Sequence, residues 1–437
     1  MPLPPVERCA AVISIGDELI LGQTLDTNTA WIAAQLTELG VHVVAHETVA
    51  DDQAALTEAI RRLAQRAGVL ILTGGLGPTA DDLTRPALAE ALGDRLIEDT
   101  ALLEQIAAYF RRFRREMPES NRSQAQRPTG AIGLSNDNGT APGLAATLRR
   151  DHATRVWCLP GPPSEMQPMF ARFVAPELAP TAEHIIRTRV LHTFGLGESA
   201  VAGLLGDLMN RNANPLVGTT ASAGVVSCRI RYEGPEAGAD DAVSKVERRL
   251  RELLQRHIVA EDDQTLAAAA LAELERRKQM LVTVESCTGG SLGAALTDVP
   301  GSSAAYLGGW ITYANEMKIG EVSVPQALLD EHGAVSEPVG RAMAEGALIS
   351  AAEGKADHAL AITGVAGPGG GSAEKPVGTV YIARASRSSE GVESDVRRFL
   401  FSGDRQSIRR WSVVTALAML RFHLAGEDIR PLLREQT

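Results

Sequence analysis

Strand-like apolar runs alternate with amphipathic helical segments along most of this 437-residue chain, and this alternation limits the folds that it can adopt. The pattern extends over residues 9–172 and again over 260–425. It is typical of a mostly parallel sheet with helices on both faces. We therefore predict an α/β protein with two three-layer α/β/α domains, at residues 1–175 and 259–437, joined by a small α+β domain at 176–258.

Charge balance and cysteine spacing exclude several classes of protein. The chain carries 43 basic and 54 acidic residues, a net charge of −11, which disfavours nucleic acid as a partner. Its four cysteines stand far apart without a CxxC pair, so neither a zinc site nor a disulfide framework is indicated. The first residues lack the regions of a signal peptide, and no apolar run is long enough to span a membrane. We expect a cytoplasmic protein that binds small molecules and no membrane.

A glycine-rich loop, "TGGLGPTADDLT" at 73–84, directly follows the strand-like run "VLIL". Glycines let a backbone approach a ligand closely, and the N–H groups of such a turn favour an anion. Asp81 and Asp82 are expected at the start of the next helix, where they would repel a phosphate unless a cation lay between them. Mg²⁺ or a similar divalent cation suits one or two carboxylates together with substrate phosphates. The alternative is a plain turn in which the aspartates cap a helix.

Further loops with glycine, proline and carboxylate residues follow strands of the same domain. The carboxyl ends of parallel strands form the ligand crevice of such a sheet, so we expect the loops at 16–18, 74–82 and 160–165 to converge there. The predicted metal ligands are Asp17, Glu18, Asp81, Asp82 and Glu165. The residues predicted to contact the phosphorylated ligand are Gly16, Asp26, Asn28, Gly74, Gly75, Gly77, Pro78, Thr79, Gly139, Thr140, Pro160 and Gly161.

A second candidate site lies in "ESCTGGS" at 285–291, where a strand-like run meets a glycine turn. The hydroxyl of Ser286 can attack a carbonyl there while backbone N–H groups stabilise the oxyanion. The residues around Ser286 do not form a GxSxG motif, so this serine needs another base. Tyr313 and Lys318 follow the adjacent predicted strand, and a buried lysine with a lowered pKa can accept the proton. Each of these residues also has another interpretation. Ser286 is then an N-cap, and Lys318 is a lysine that faces solvent. Cys287 is either the nucleophile in place of Ser286 or a small core residue.

The first domain resembles a known family through five motifs, which are "GDELILGQTLDTN", "TGGLGPTADDLT", "NRSQAQRPTGA", "NGTAPG" and "LPGPPSEM". Together they are similar to the N-terminal domain of the CinA (competence/damage-inducible) family, which resembles the molybdopterin-binding fold. The resemblance implies a metal-dependent ADP-ribose pyrophosphatase that yields AMP and ribose 5-phosphate. A metal that bridges diphosphate oxygens and activates water fits this chemistry. One departure from the family pattern is Ala50, where we expect glycine.

The last domain resembles the C-terminal CinA domain through "ESCTGG", "YANEMK", "EHGAVS", "TGVAGP", "EKPVGTV" and "GDR", in order and approximate spacing. The implied activity is hydrolysis of nicotinamide mononucleotide (NMN) to nicotinic acid mononucleotide and ammonia, without a cofactor. By this resemblance Ser286 is the nucleophile, Lys318 its base and Tyr313 an orienting partner. The substrate contacts predicted for this site are Glu285, Cys287, Thr288, Gly289, Thr363, Gly364, Arg405 and Arg409, with Arg405 favoured for the phosphate. Gly369 departs from the threonine expected there.

Three hypotheses about function follow. The first is a two-site hydrolase that acts on small nucleotides, NMN and ADP-ribose. In the second, the N-terminal domain binds a pterin nucleotide instead of hydrolysing ADP-ribose. The third is a non-enzymatic adaptor in competence, against which the acidic balance argues. The family resemblance also implies a homodimer.

Overall fold

The computed structural model of the chain describes residues 6–149, 151–179, 184–351 and 354–436. The chain divides into two compact units, an N-terminal unit of Met1–Arg187 with Glu233–Asp240 and a C-terminal unit of Thr188–Tyr232 with Asp241–Thr437. The prediction about a signal peptide concerns the first residues, of which 1–5 lie outside the described part. No helix in the described part is long and apolar enough to cross a membrane.

The N-terminal unit is built on a six-stranded sheet. The strands of this unit are β1 (Cys9–Ile15), β2 (His42–Val49), β3 (Val69–Thr73), β4 (Leu96–Glu98), β5 (Gln126–Pro128), β6 (Ile132–Leu134), β7 (Gly143–Arg149) and β8 (Ala153–Leu159). The sheet order is β2-β1-β3-β8-β7-β6, and β4 pairs separately with β5. The first four strands run parallel, whereas β7 and β6 are antiparallel to their neighbours. The carboxyl ends of β2, β1, β3 and β8 therefore meet at one edge.

Helices cover both faces of this sheet. They are α1 (Asp17–Ile20), α2 (Thr27–Glu38), α3 (Gln53–Leu63), α4 (Thr84–Leu92), α5 (Thr100–Arg112) and α6 (Pro163–Met169). Shorter 3-10 helices span Val6–Arg8, Glu119–Ala125 and Ala175–Leu178, and a π-helical turn spans Phe170–Val174. Ile60 of α3 shares a core with Ile13, whereas Ile32 of α2 shares the opposite core with Val12. Adjacent strand residues face opposite layers, which explains why β1 is buried throughout.

The middle segment is a small α+β unit, as predicted. Its elements are β9 (Ile185–Thr193), α7 (Glu198–Leu205), β10 (Leu216–Ser222), β11 (Val225–Gly234), α8 (Ala239–Leu254) and β12 (Ile258–Glu261), with 3-10 helices at Gly206–Met209 and Gln255–His257. The sheet order is β10-β11-β9-β12. Apolar residues of β9, β11, α7 and α8 form one common core.

The C-terminal segment carries a second six-stranded sheet. Its elements are α9 (Leu266–Arg277), β13 (Leu281–Glu285), α10 (Ser291–Thr297), β14 (Tyr306–Ile311), α11 (Asn315–Val322), α12 (Gln326–His332), α13 (Glu337–Ser350), β15 (His358–Gly364), β16 (Thr379–Ser388), β17 (Gly391–Leu400), α14 (Arg405–Leu424) and β18 (Glu435–Gln436), with a 3-10 helix at Ser302–Ala304. The sheet order is β14-β13-β15-β16-β17-β18. The first three strands are parallel and the rest antiparallel. Strands β16 and β17 pair along their whole length.

Alternate residues of β13 face opposite helical layers, and this alternation sets the direction of the side chains that follow the strand. Val282 and Val284 lie in the core shared with α11, α12 and α13. Leu281 and Cys287 lie in the core shared with α9 and α14. Because strand side chains alternate with a period of two, Ser286 faces the layer that contains α11.

The packing of α13 against α11 leaves no room for an added methyl group at Gly346. A Cβ at this position would collide with the carbonyl oxygen of Val322 at the end of α11. We expect Gly346→Ala to lower the free energy of unfolding by about 1–3 kcal/mol through overpacking. Urea denaturation followed by circular dichroism measures this loss.

Gly320→Ala on α11 is the matched control, because Gly320 is helical like Gly346 but an added Cβ there would meet no neighbouring atom within 4 Å. An added methyl there should leave stability unchanged or raise it by up to about 1 kcal/mol through helix propensity. Equal effects of the two variants would contradict the packing described for Gly346.

Candidate functional site

The C-terminal candidate site begins one residue beyond β13. The backbone N–H of Ser286 donates to Ile362 O of β15 at 2.9 Å, so the sheet still holds the chain there. Helix α10 begins only at Ser291 and has Gly290 as its N-cap. Ser286 therefore is not the N-cap of that helix, and its side chain, 9% exposed, faces the α11 layer.

Lys318 of α11 reaches Ser286 from the adjoining layer. The lysine Nζ donates to Ser286 Oγ at 3.3 Å and to the carbonyl oxygens of Thr312 and Tyr313 at 2.8 and 3.2 Å. Lys318 is only 1% exposed. No carboxylate lies within ion-pair distance of its amine among the described residues. The alternative of a solvent-facing lysine is thus wrong, and the predicted proximity of the two side chains is observed.

Burial shifts the acid–base behaviour of this pair. Burial lowers the pKa of Lys318 from its ordinary value, and the acidic groups of Cys287 and Glu316 oppose that shift. A neutral amine 3.3 Å from a hydroxyl can accept its proton. This arrangement suits a serine nucleophile with a lysine base.

Glu285 and Cys287 flank Ser286 and face the other layer, so they do not lie beside the hydroxyl. The buried carboxylate of Glu285 accepts hydrogen bonds from the N–H groups of Gly290, Leu292 and Gly293 at 3.1, 3.0 and 2.8 Å. The Cys287 side chain lies in the hydrophobic core, where burial raises the pKa of its thiol to about 11. Both side chains thus have structural partners and do not lie where the predicted substrate contacts would be. The raised pKa and the burial of its thiol disfavour Cys287 as a nucleophile.

The two arginines predicted for this site have different surroundings. Arg405 is exposed and donates to Gly367 O at 2.9 Å and to the hydroxyl of Tyr313 at 3.2 Å. Arg409 is half-buried and donates to Thr288 O at 3.2 and 2.5 Å. Arg405 and Tyr313, itself 61% exposed, are therefore the more accessible pair. Arg409 instead holds the loop after Ser286.

The remaining predicted contacts of this site lie around the same turn. Gly289 has a left-handed backbone with φ of 56°, which glycine adopts without strain. Thr288 is fully buried, and its hydroxyl has no partner among the described residues. Thr363 is also buried and donates to Ala334 O at 2.8 Å, which occupies its hydroxyl. At Gly364 a side chain would collide with β16.

In the N-terminal unit a cavity of about 370 Å³ lies at the carboxyl ends of the parallel strands. The predicted residues that line it are Gly16, Glu18, Gly74, Gly75, Gly77, Pro78, Thr79, Asp81, Asp82, Thr140, Pro160, Gly161 and Glu165. Asp26 and Asn28 line an adjoining cavity of about 150 Å³. Asp17 and Gly139 line neither, although Gly139 lies directly beside Glu165. The three predicted loops thus converge.

Helix α4 begins at Thr84, so the expectation that Asp81 and Asp82 start this helix is wrong. The carboxylate of Asp82 folds back on the glycine-rich loop instead. It accepts hydrogen bonds from the N–H groups of Gly77 and Thr79 at 2.6 and 2.8 Å, and from the Thr79 hydroxyl. Asp82 therefore organises the loop, whereas Asp81 remains exposed.

Asp51, which the sequence analysis missed, also lines the large cavity. Burial raises the pKa of this carboxyl, and three negative neighbours raise it further. These neighbours are Asp17, Glu18 and Asp81. Asp51 follows β2, and position at the carboxyl end of a predicted strand was the signal that could have identified it.

The chemistry of the cavity lining fits a divalent cation. Five carboxylates line the cavity, from Glu18, Asp51, Asp81, Asp82 and Glu165, and no basic side chain is among its described lining residues. Within the described ranges, no three His, Cys, Asp or Glu side chains are close enough to hold a metal by themselves. The five predicted ligands are thus not one preformed cluster. Carboxylates that bind Mg²⁺ together with substrate phosphates need no such cluster.

Three protein-family models match the chain in succession. They are "Probable molybdopterin binding domain" at 11–180, "Damage-inducible protein CinA KH domain" at 188–260 and "CinA C-terminal domain" at 263–424. A CinA-like protein of Gemmatimonas aurantiaca is 43% identical over 423 residues, which cover 95% of this chain and 96% of that protein. The chain belongs to the CinA family. The domain boundaries given above stay a prediction.

A second relative agrees with this assignment. A CinA-like protein of Synechococcus sp. (strain CC9902) is 44% identical over 423 residues, which cover 95% of this chain and 98% of that protein. Among solved structures, the competence/damage inducible protein CihA from Agrobacterium tumefaciens is 41% identical, covers 37% of this chain and 93% of its own, and has a TM-score of 0.34.

The three backbone bonds to Glu285 indicate that its charge stabilises the turn after Ser286. We expect Glu285→Gln to lower the free energy of unfolding by about 1–3 kcal/mol, because the amide replaces an acceptor oxygen with a donor opposite buried N–H groups. Urea denaturation measures the loss. Asp357→Asn is the matched control, since Asp357 accepts only one such bond, from Met280 N at 2.8 Å. A larger loss in the control would contradict this role.

Proposed function

We propose that this CinA-family chain is a nicotinamide-nucleotide amidase, with a second, metal-dependent site in its N-terminal domain that hydrolyses ADP-ribose. The observation that carries the amidase proposal is the 3.3 Å distance from Lys318 Nζ to Ser286 Oγ. The burial of the lysine supports it, because burial favours the neutral form of an amine.

The proposed amidase reaction moves one proton through Lys318. As Ser286 Oγ attacks the carboxamide carbon of NMN, Lys318 Nζ accepts the hydroxyl proton and then donates it to the departing ammonia. Water hydrolyses the resulting ester and regenerates the serine, with the same amine as base. The carbonyl oxygens of Thr312 and Tyr313 hold the amine in place during both steps.

Backbone groups and an arginine are available to the substrate. The N–H groups of Cys287 and Thr288 have no protein acceptor in the described part of the chain, and we assign them to the oxyanion that develops on the carboxamide. Arg405 is the exposed guanidinium beside Tyr313, and we assign it to the NMN phosphate. In this scheme, Tyr313 orients that arginine.

For the N-terminal domain we propose hydrolysis of ADP-ribose to AMP and ribose 5-phosphate. The support is a cavity with five carboxylates and a glycine-rich loop. One or two of the carboxylates of Glu18, Asp51 and Asp81 would hold the cation together with the diphosphate, since Asp82 is bound by the loop. The cation would neutralise diphosphate oxygens and activate water. The match to a molybdopterin-binding domain favours a second candidate, which is binding of a pterin nucleotide at this cavity.

Ser286→Ala and Lys318→Met should each abolish the release of ammonia from NMN, because one removes the nucleophile and the other its base. We expect a loss of at least about 10³-fold in kcat/KM with an unchanged fold. A coupled ammonia assay on the purified full-length protein, with circular dichroism for folding, measures both. Full activity of either variant would refute the Ser–Lys assignment.

A pH profile separates a lysine base from a purely structural lysine. Activity should rise with pH as Lys318 loses its proton, and the midpoint should lie below the ordinary pKa of lysine. Glu316→Gln removes a charge that raises the pKa of Lys318, so the midpoint should move to lower pH by roughly 0.2–0.7 unit. Glu321→Gln, an exposed change on the same helix, should not move it.

Chelation should abolish release of AMP from ADP-ribose and leave the release of ammonia from NMN intact. We expect Asp51→Asn to lower the AMP rate at low Mg²⁺ and to regain part of it at high Mg²⁺, because one carboxylate near the cation is lost. Asp52→Asn is the control, since Asp52 caps α3, where asparagine caps equally well. Absence of AMP from the wild type, with binding of a pterin nucleotide, would favour the second candidate.

A further inference from the structure

The four carbonyl groups of the glycine-rich loop Gly74–Gly77 all bind donors outside the loop. Thr84, the first residue of α4, binds the first two, through its hydroxyl at 2.9 Å and its backbone N–H at 3.2 Å. Arg85, the next residue, binds the last two at 2.6 and 3.2 Å. Gln124 adds a bond to Leu76 O at 3.3 Å. The carbonyl groups of the loop are therefore all directed towards these protein donors.

The N–H groups of the same peptides point the other way, because C=O and N–H are opposed in a trans peptide. Those of Gly75 and Leu76 have no acceptor among the described residues. That of Gly77 binds Asp82 at 2.6 Å. Gly75, Leu76 and Gly77 line the large cavity, whereas Thr84 and Arg85 do not. The free N–H groups are thus available on the side of the loop that a ligand would meet.

Arg85 also supplies a buried positive charge behind the loop. Arg85 is only 3% exposed. No carboxylate in the described part of the chain lies within ion-pair distance of its guanidinium, and its Nε has no hydrogen-bond partner there. Burial lowers the pKa of Arg85 to about 10, so the guanidinium stays charged at neutral pH. The cavity has five carboxylates and no basic side chain among its described lining residues. Arg85 is therefore a nearby cation that can favour an anionic ligand.

We infer that Thr84 and Arg85 are positioning residues of the N-terminal site, which hold the loop so that the N–H groups of Gly75 and Leu76 bind the oxygens of a diphosphate group. Neither residue touches the ligand, because both act through the loop. This inference rests on the N-terminal function proposed above for the ligand class. It does not depend on whether the ligand is hydrolysed.

Calorimetric binding of inorganic pyrophosphate with Mg²⁺ to the full-length protein tests the inference without turnover. Thr84→Val removes only the hydroxyl bond, and Arg85→Met removes both carbonyl bonds and the charge. We expect about tenfold weaker binding for Arg85→Met, a smaller loss for Thr84→Val, and partial recovery in Arg85→Lys. With ADP-ribose, the loss should appear mainly in KM rather than in kcat.

Two variants of the same unit serve as matched controls. Thr57 and Arg61 of α3 donate to Ala87 O and Glu90 O of α4, and neither α3 residue contacts the loop or lines the cavity. Thr57→Val and Arg61→Met should lower the melting temperature without weakening pyrophosphate binding. If Thr84→Val and Arg85→Met bind pyrophosphate as tightly as these controls, or if the wild type does not bind it, the inference is overturned. Binding without release of AMP would refute the proposed hydrolysis and sustain the inference.

Discussion

The C-terminal site depends on a buried lysine amine that forms no ion pair with a carboxylate of the described residues. The amine of Lys318 lies within hydrogen-bond distance of three oxygen atoms, from Ser286, Thr312 and Tyr313. An ammonium in such surroundings is costly, since neutral acceptors replace bulk water and the charge of Glu316 compensates only in part. Helix α11, which carries Lys318, packs so closely on α13 that a Cβ at Gly346 would collide with Val322 O. The burial of the lysine lowers its pKa.

Both candidate sites share one feature, a loop after a parallel strand whose backbone groups are bound by charged side chains. In the C-terminal site Glu285 and Arg409 bind the N–H and C=O groups of the turn after β13. In the N-terminal site Asp82 and Arg85 do so for the loop after β3. Charged groups form strong hydrogen bonds with backbone N–H and C=O groups, so each loop keeps a defined shape although its glycines make the backbone flexible.

The alternation of strands and helices could be predicted from the sequence, because hydrophobic periodicity is a local signal. The roles of Ser286 and Lys318 came from the family resemblance, since spacing alone left a capping serine and a solvent-facing lysine open. The prediction misplaced Glu285 and Cys287, since their direction depends on which residue ends β13 and on the alternation beyond it. It also placed the start of α4 at Asp81 instead of Thr84, and so assigned Asp82 to a metal. Asp51 also follows a strand, β2, at the edge where the site lies, so its position was a signal that the prediction did not use.

The peptide between Leu76 and Gly77 is held on one side by Arg85 and on the other by Asp82, at 2.6 Å in both cases. Protein groups alone therefore determine the conformation of this segment. A molecule that docks on it meets a preorganised surface, and little conformational entropy is lost when the complex forms. Affinity at this edge of the sheet can then reflect mainly electrostatic and hydrogen-bond complementarity.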